Sequence, residues 1–256
     1  LWKIVEGTKR NIKFGLHGSS GRMGIAVTEA ISRQSHEFSL VKNFTRDGDV
    51  NQLLEFCLSA DVVIDFSAAD ALQNLLEAAT KANRKIVIGT TGLSNDHMQL
   101  MKKASQFIAI LYAPNTSIGA NLVMEMAGKM SKILASYDVE IIDTHHRYKK
   151  DAPSGTALAI GQNIAINRQQ KFEDIAVFDR ANKGVRQKGD IGFSSLRSGG
   201  IYGKHEVIFA ESSEVITIGS EALTRDVFAD GALFAAKWLN SVIIPGLYSM
   251  QDVLKI

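Results

Sequence analysis

Cysteine is almost missing from this chain. Cys57 is the only one in 256 residues, so no internal disulfide and no cysteine-based zinc site can be built. A reducing, cytoplasmic compartment is the expectation. Cys57 sits in LLEFCLSADVV, an apolar passage where a small core residue is a better reading than a reactive thiol. An excess of one charge is missing too. Lys and Arg number 29 against 27 Asp and Glu, a net of +2, and the charges are interspersed. Nothing points to nucleic acid or to an anionic membrane as a partner. No apolar run reaches about 18 residues, so no membrane span is expected. The opening LWKIVEGTKRN carries no apolar signal-peptide core. Internal repeats and low-complexity segments are absent as well. What remains, 45% apolar and 22% charged residues, is the composition of a folded globular chain long enough for two domains.

Over the first half, short apolar strands alternate with amphipathic helices. IKFGL, FSLVKNF, VVIDF, KIVIG and IAILYA read as strands. IAVTEAISRQ, LLEFCLSA, ALQNLLEAATKA and HMQLMKKASQ read as the helices between them. Near-continuous apolar strands joined by helices mean a parallel sheet covered on both faces, here a Rossmann-type doubly wound sheet. The rhythm changes after APN at 113–115. A long helix, the strand DVEIID and a helix entered through Pro153 and Ser154 follow. Then come GDIGFSSLRSGG, KHEVIFA and EVITIGS, expected to be adjacent and mostly antiparallel. The expected class is α/β. A dinucleotide-binding domain covers 1–115, with 226–256 packing back on it. A second α/β domain with an open mixed sheet covers 116–225, for substrate binding and oligomerisation.

Two motifs carry chemistry. HGSSGRMG joins the first strand to the first helix, with Gly18, Gly21 and Gly24 in a G-x-x-G-x-x-G pattern. Glycines let the backbone approach a pyrophosphate, and the helix start offers free N–H groups and a positive dipole end. Arg22 adds a cation. The second strand ends in NFTRDG, placing Thr45 and Arg46 where an acid would hold a ribose diol. Thr and Arg suit a 2′-phosphate better, so NADPH is favoured over NADH. IGTTGL and YAPNTSIG end the fourth and fifth strands, at the sheet edge where ligands of open α/β sheets bind.

The second motif is DTHHRYKKDAPSGTA at 143–157. His145 and His146 are neighbours at a strand end and point to opposite sides. That argues against one shared metal, and no carboxylate cluster supports one, so no metal is expected. His145 and Lys149 can converge across a tight bend. Ser154, Gly155 and Thr156 then open a helix whose N–H groups suit a carboxylate. Lys149 is a plausible proton donor. The string suits a small dianion.

HGSSGRMG, GTTG, APNTSIG, HHRYKKDAPSGTA and GFSSLRSGGIYGKHEVIFA occur in this order. Together they resemble the 4-hydroxy-tetrahydrodipicolinate reductase (dihydrodipicolinate reductase) family of the diaminopimelate and lysine route, over essentially the whole chain. The resemblance implies His145 as acid/base histidine and Lys149 as proton donor. It puts His146, Ser154, Gly155, Thr156 and Arg225 at the substrate. Gly18, Ser19, Ser20, Gly21, Arg22 and Met23, together with Gly89, Thr90, Thr91, Ala113, Pro114, Asn115 and Thr116, fall on cofactor contacts, beside Thr45 and Arg46. It also implies a small cyclic dicarboxylate substrate, NADPH or NADH as cofactor, and a homotetramer built through the second sheet. Tyr148 stands where the family has a third histidine, and Thr45 where an acid is usual. Another nicotinamide enzyme on the same scaffold would explain the glycine loop but not the basic string. A non-catalytic NAD(P)H sensor would need an interaction segment that the sequence does not display.

Overall fold

β1 (Ile12–His17) buries four residues in succession, Phe14 to His17. A strand with no polar side needs cover on both faces, which a parallel sheet flanked by helices provides. The computed structural model describes residues 11–45 and 48–256. Arg46, a candidate cofactor residue, and its neighbour Asp47 lie outside the described residues. After β1 come α1 (Arg22–Arg33), β2 (Phe38–Phe44), α2 (Leu53–Ser59), β3 (Val62–Asp65), α3 (Leu72–Ala82), β4 (Lys85–Ile88), α4 (Asn95–Ala104) and β5 (Ala109–Tyr112). The chain continues through α5 (Ile118–Ile133), β6 (Asp138–His145), α6 (Gly155–Asn167), α7 (Phe172–Ile175), β7 (Ala176–Val177), β8 (Ile191–Arg197), β9 (Gly203–Glu211) and β10 (Glu214–Ala222). It closes with α8 (Asp226–Ser241), β11 (Gly246–Tyr248) and α9 (Met250–Leu254).

The chain divides into two units. One holds the described residues up to Thr116 together with Phe228–Lys255, the other Ser117–Val227. The first unit is a six-stranded parallel sheet in the order β11-β5-β4-β3-β1-β2. β1 is flanked by β2 on one side and β3 on the other, so the chain reverses direction across the sheet at β1. The carboxyl end of β1 is therefore the place for a ligand. Gly24, Val27 and Ile31 put α1 on the sheet at helical spacing. Each large apolar side chain so buried contributes roughly 1.5–3 kcal/mol. Ala229, Leu233, Ala236 and Leu239 of α8 join the same core as Phe14 and Leu16. β11, paired with β5, has no counterpart among the expected strands. Three residues are too few for a period to show.

The second unit is a mixed sheet in the order β10-β9-β6-β8-β7. β6 alternates along its length, with Val139, Ile141, Asp143 and His145 buried. The first two pack with Val207, Phe209 and the helices α5 and α6. One expectation is corrected. β8 does not pair with β9; it runs parallel to β6, while β9 pairs antiparallel on β6's other side. Residues 198–202 arch over the end of β6, spanning two strand spacings of about 4.8 Å each. The arch is tied down by Ser198 N donating to His145 O (2.9 Å) and Arg147 N to Gly199 O (3.2 Å). Among the described residues no helix is long and apolar enough to cross a membrane.

Candidate active site

In the first unit the turn after β1 is shaped by close approach. Gly18 has φ +80°, and a Cβ there would stand 2.6 Å from Phe66 O. A Cβ on Gly24 would stand 2.4 Å from Gly18 O. Neither position accepts a side chain without moving backbone. α1 starts on Gly21 with no side-chain cap, so its first-turn N–H groups are left for an anion. Two cavities of about 420 Å³ each flank this loop. Gly18, Ser20, Gly21 and Thr45 line the first. Gly21, Arg22, Met23, Gly89, Thr90, Thr91, Pro114, Asn115 and Thr116 line the second. Gly21, Phe66 and Ser67 belong to both, so the two form one groove along the carboxyl edge of the sheet. A groove of that volume beside an uncapped helix start fits a dinucleotide.

Two expected cofactor residues sit differently. Ser19 and Ala113 line neither cavity, and Ala113 is buried in the main core. The Thr116 hydroxyl donates to Phe228 O at 2.6 Å, which ties the end of β5 to α8. Sequence reasoning missed Asp65, His17 and Ser67. Asp65 is fully buried and accepts from His17 Nδ1 (2.7 Å), Ser67 Oγ (2.6 Å) and Thr90 Oγ1 (2.7 Å).

In the second unit the buried face of β6 turns polar at its end. Asp143 is fully buried. Its Oδ1 lies 2.8 Å from His145 Nδ1 and 3.4 Å from His205 Nε2. The closer contact is bent away from an ideal hydrogen-bond line. Oδ2 accepts from Ser154 N at 2.8 Å and from Arg197 Nη2 at 2.9 Å. Burial pushes the Asp143 carboxyl up, but His145, His205, the Ser154 N–H and Arg197 outweigh it and hold it far below the usual carboxylate range. Asp143 Oδ1 thus lies on the Nδ1 side of His145, and Nε2 is on the far side of the ring. Gly203 leaves room there, since a Cβ on it would stand 3.1 Å from His145 Nε2.

Among the described residues a single carboxylate, not a cluster, stands beside the histidines. Asp143, His145 and His205 offer ligand atoms within 4.8 Å of one another. A metal nevertheless fits poorly. Two ligands of a tetrahedral zinc stand roughly 3.3 Å apart, wider than the 2.8 Å between Asp143 and His145, and Arg197 already brings a cation. The arrangement suits a held proton.

Arg197 also donates to Asp151 O at 2.6 Å, which fastens the loop after β6. On that loop Lys149 Nζ stands 2.9 Å from Asp151 Oδ2. Asp151 is lowered as well, burial being outweighed by Lys149. His146 Nδ1 is buried without a partner, while Lys150 and Tyr148 are exposed. Gly155 starts α6 with open space where a Cβ would be, and Thr156 beside it is half-buried. Ser154, expected beside the substrate, is turned inward. Its N–H donates to Asp143, and its hydroxyl oxygen accepts from Ala157 N (3.2 Å) and lies 3.1 Å from His205 Nε2. Arg225 lies over the Tyr202 ring, 5.2 Å from its centroid.

Comparison with known proteins completes the picture. The family model described as "Dihydrodipicolinate reductase, N-terminus" matches residues 12–116, and "Dihydrodipicolinate reductase, C-terminus" matches 119–254. A 4-hydroxy-tetrahydrodipicolinate reductase of Rickettsia canadensis (strain McKiel) is 45% identical over 245 residues, covering 96% of this chain and 99% of that protein. The reductase of Zymomonas mobilis is 43% identical over 248 residues, covering 95% and 97%. A dipicolinate-bound dihydrodipicolinate reductase from Paenisporosarcina sp. TG-14 shares the fold at TM-score 0.74 and 23% identity, covering 94% of this chain and 98% of that one. The two matched halves and the full-length relatives make this chain a member of the dihydrodipicolinate reductase family of NAD(P)H-dependent oxidoreductases.

Proposed function

We propose that the chain reduces 4-hydroxy-tetrahydrodipicolinate to tetrahydrodipicolinate with NAD(P)H, in diaminopimelate and lysine biosynthesis. The first unit holds the cofactor, and the second holds and protonates the substrate. The observation that carries this reading is the polar end of β6, where His145 is braced by Asp143 beside the loop of Lys149. A bound reduced nicotinamide supplies the hydride. In the family's reaction water leaves the 4-hydroxy ring, hydride arrives at ring C4, and negative charge moves through the conjugated system to the ring nitrogen.

Lys149 gives that nitrogen its proton. Its pairing with Asp151, 57% exposed, is weak enough to exchange for a substrate group. His145, braced through Nδ1, replenishes or poises that proton through Nε2. His146, with its unpartnered Nδ1, and the start of α6 at Gly155 and Thr156 take the carboxylates. Arg225 serves the same substrate. The Paenisporosarcina relative binds a planar ring dicarboxylate, the ligand class this set of donors suits.

The finer cofactor reading is NADPH. Thr45 lines the first cavity at the end of β2, where an acid would hold a ribose diol. Asp70, after β3, lines the same cavity; a much lower KM for NADH than for NADPH would remove this preference. The assembly reading is a homotetramer through the sheet face opposite α5 and α6, where Val215 and Leu196 are exposed. Light scattering on an eluting peak tests it. The reaction itself is tested by coupling to the upstream synthase. Reduced cofactor should be consumed only when that enzyme receives pyruvate and aspartate semialdehyde. Cofactor binding without turnover would favour a sensor instead.

A further inference from the structure

A fully buried carboxylate outside the proton chemistry is Asp65, at the end of β3. It accepts four hydrogen bonds. Oδ1 takes His17 Nδ1 (2.7 Å), Ser67 Oγ (2.6 Å) and Ser67 N (3.2 Å), and Oδ2 takes Thr90 Oγ1 (2.7 Å). These donors come from three strand ends. His17 ends β1 and directly precedes Gly18, Ser67 follows β3, and Thr90 follows β4. The strands are in register at this level, with His17 opposite Asp65 and Asp65 opposite Ile88.

His17, Ser67 and Thr90 all line the groove, whereas Asp65 lines neither cavity. The His17 ring also rests on Phe44, with centroids 5.4 Å apart, and Phe44 is itself a wall of the first cavity. A buried carboxylate with this many donors fixes the groups that donate to it, because releasing any one leaves an unpaired polar group in the core. The three loop starts are thus held in shape before any ligand arrives, which lowers the ordering cost of binding. The Thr90 hydroxyl is spent on Asp65, so of the two adjacent threonines Thr91 is the one left to face a ligand.

We propose that Asp65 is the positioning residue of the cofactor groove. Through His17, Ser67 and Thr90 it sets the glycine loop and the ends of β3 and β4 in the form that takes up a reduced nicotinamide dinucleotide. This rests on the reading that the first unit binds such a cofactor. Asp65→Asn keeps the shape but turns one acceptor into an N–H donor facing donors. Thr90→Val removes one of the four bonds and keeps the volume. His17→Asn keeps a donor where Nδ1 stands, while His17→Ala removes it.

The test is a titration of the purified full chain with NADPH and with NADH, read by nicotinamide fluorescence, with melting curves alongside. Asp65→Asn should raise the Kd of the folded protein at least about tenfold, the scale of one buried charged hydrogen bond. Thr90→Val and His17→Ala should raise it less, and His17→Asn should stay within about threefold of the parent. A purely structural role would lower the melting temperature and leave the folded protein's Kd unchanged. That result in Asp65→Asn overturns the inference; if this variant does not fold, an unchanged Kd in Thr90→Val does so. A parent chain that binds neither dinucleotide would overturn the cofactor reading, and this inference with it.

Discussion

Asp65 and Asp143 are fully buried carboxylates near the carboxyl end of a strand, one in each unit, yet their partners differ. Around Asp65 stand two hydroxyls, a backbone N–H and one imidazole. Around Asp143 stand a guanidinium, two imidazoles, a backbone N–H and one more distant hydroxyl, that of Ser195 at 3.4 Å. The first set fixes shape and brings no permanent cation. The second brings a permanent cation as well, Arg197, paired directly with the carboxylate. A groove for a long cofactor needs the first kind of support. A pocket that must hold a dianion and deliver a proton to it needs the second.

The comparison can be broken by exchanging effects. Asp143→Asn leaves Arg197 mostly buried without its counter-charge, and we expect about 3 kcal/mol of lost stability in urea unfolding. It should also abolish binding of a ring dicarboxylate while sparing cofactor affinity in the folded fraction. Equal loss of both ligands would end the division of labour. Gly24→Ala is the opposite probe. Its methyl meets Gly18 O, so about 1–3 kcal/mol of strain should fall on the cofactor loop and raise the cofactor Kd, with dicarboxylate binding unchanged in calorimetry.

Acid unfolding sharpens the contrast. The folded Asp143 carboxyl is held far below its usual range, so the unfolded chain takes up this proton first. The stability gap between the parent and Asp143→Asn should be full above about pH 4 and shrink as pH falls below it. A gap that is flat down to lower pH would mean that Asp143 is not depressed. The smallest effect is expected for Thr116→Val. It should cost about 1 kcal/mol in urea unfolding and barely change cofactor affinity, because the hydroxyl is already spent on Phe228 O.

Much of this was legible in the sequence. The strand–helix alternation of the first unit follows from apolar runs punctuated by glycines, and the polar end of β6 follows from period two, since Asp143 shares a face with Val139, Ile141 and His145. Other parts depend on pairing that local patterns do not encode. His205 meets Asp143 through antiparallel register, and Arg197 reaches it from a parallel strand more than fifty residues later. Ser154 looked like a ligand contact because N-caps and anion sites share residue types. Only the fold shows that its donors and acceptors are used up internally. Asp65 left no motif, because one carboxylate at a strand end is ordinary until its three neighbours are known.

The central claim is that the second unit protonates what the cofactor reduces, and Lys149 is its sharpest point. In steady-state kinetics of Lys149→Ala with cofactor saturating, kcat should fall by about 10² or more, while the cofactor Kd measured by fluorescence stays at the parent value. A near-normal kcat would contradict the account.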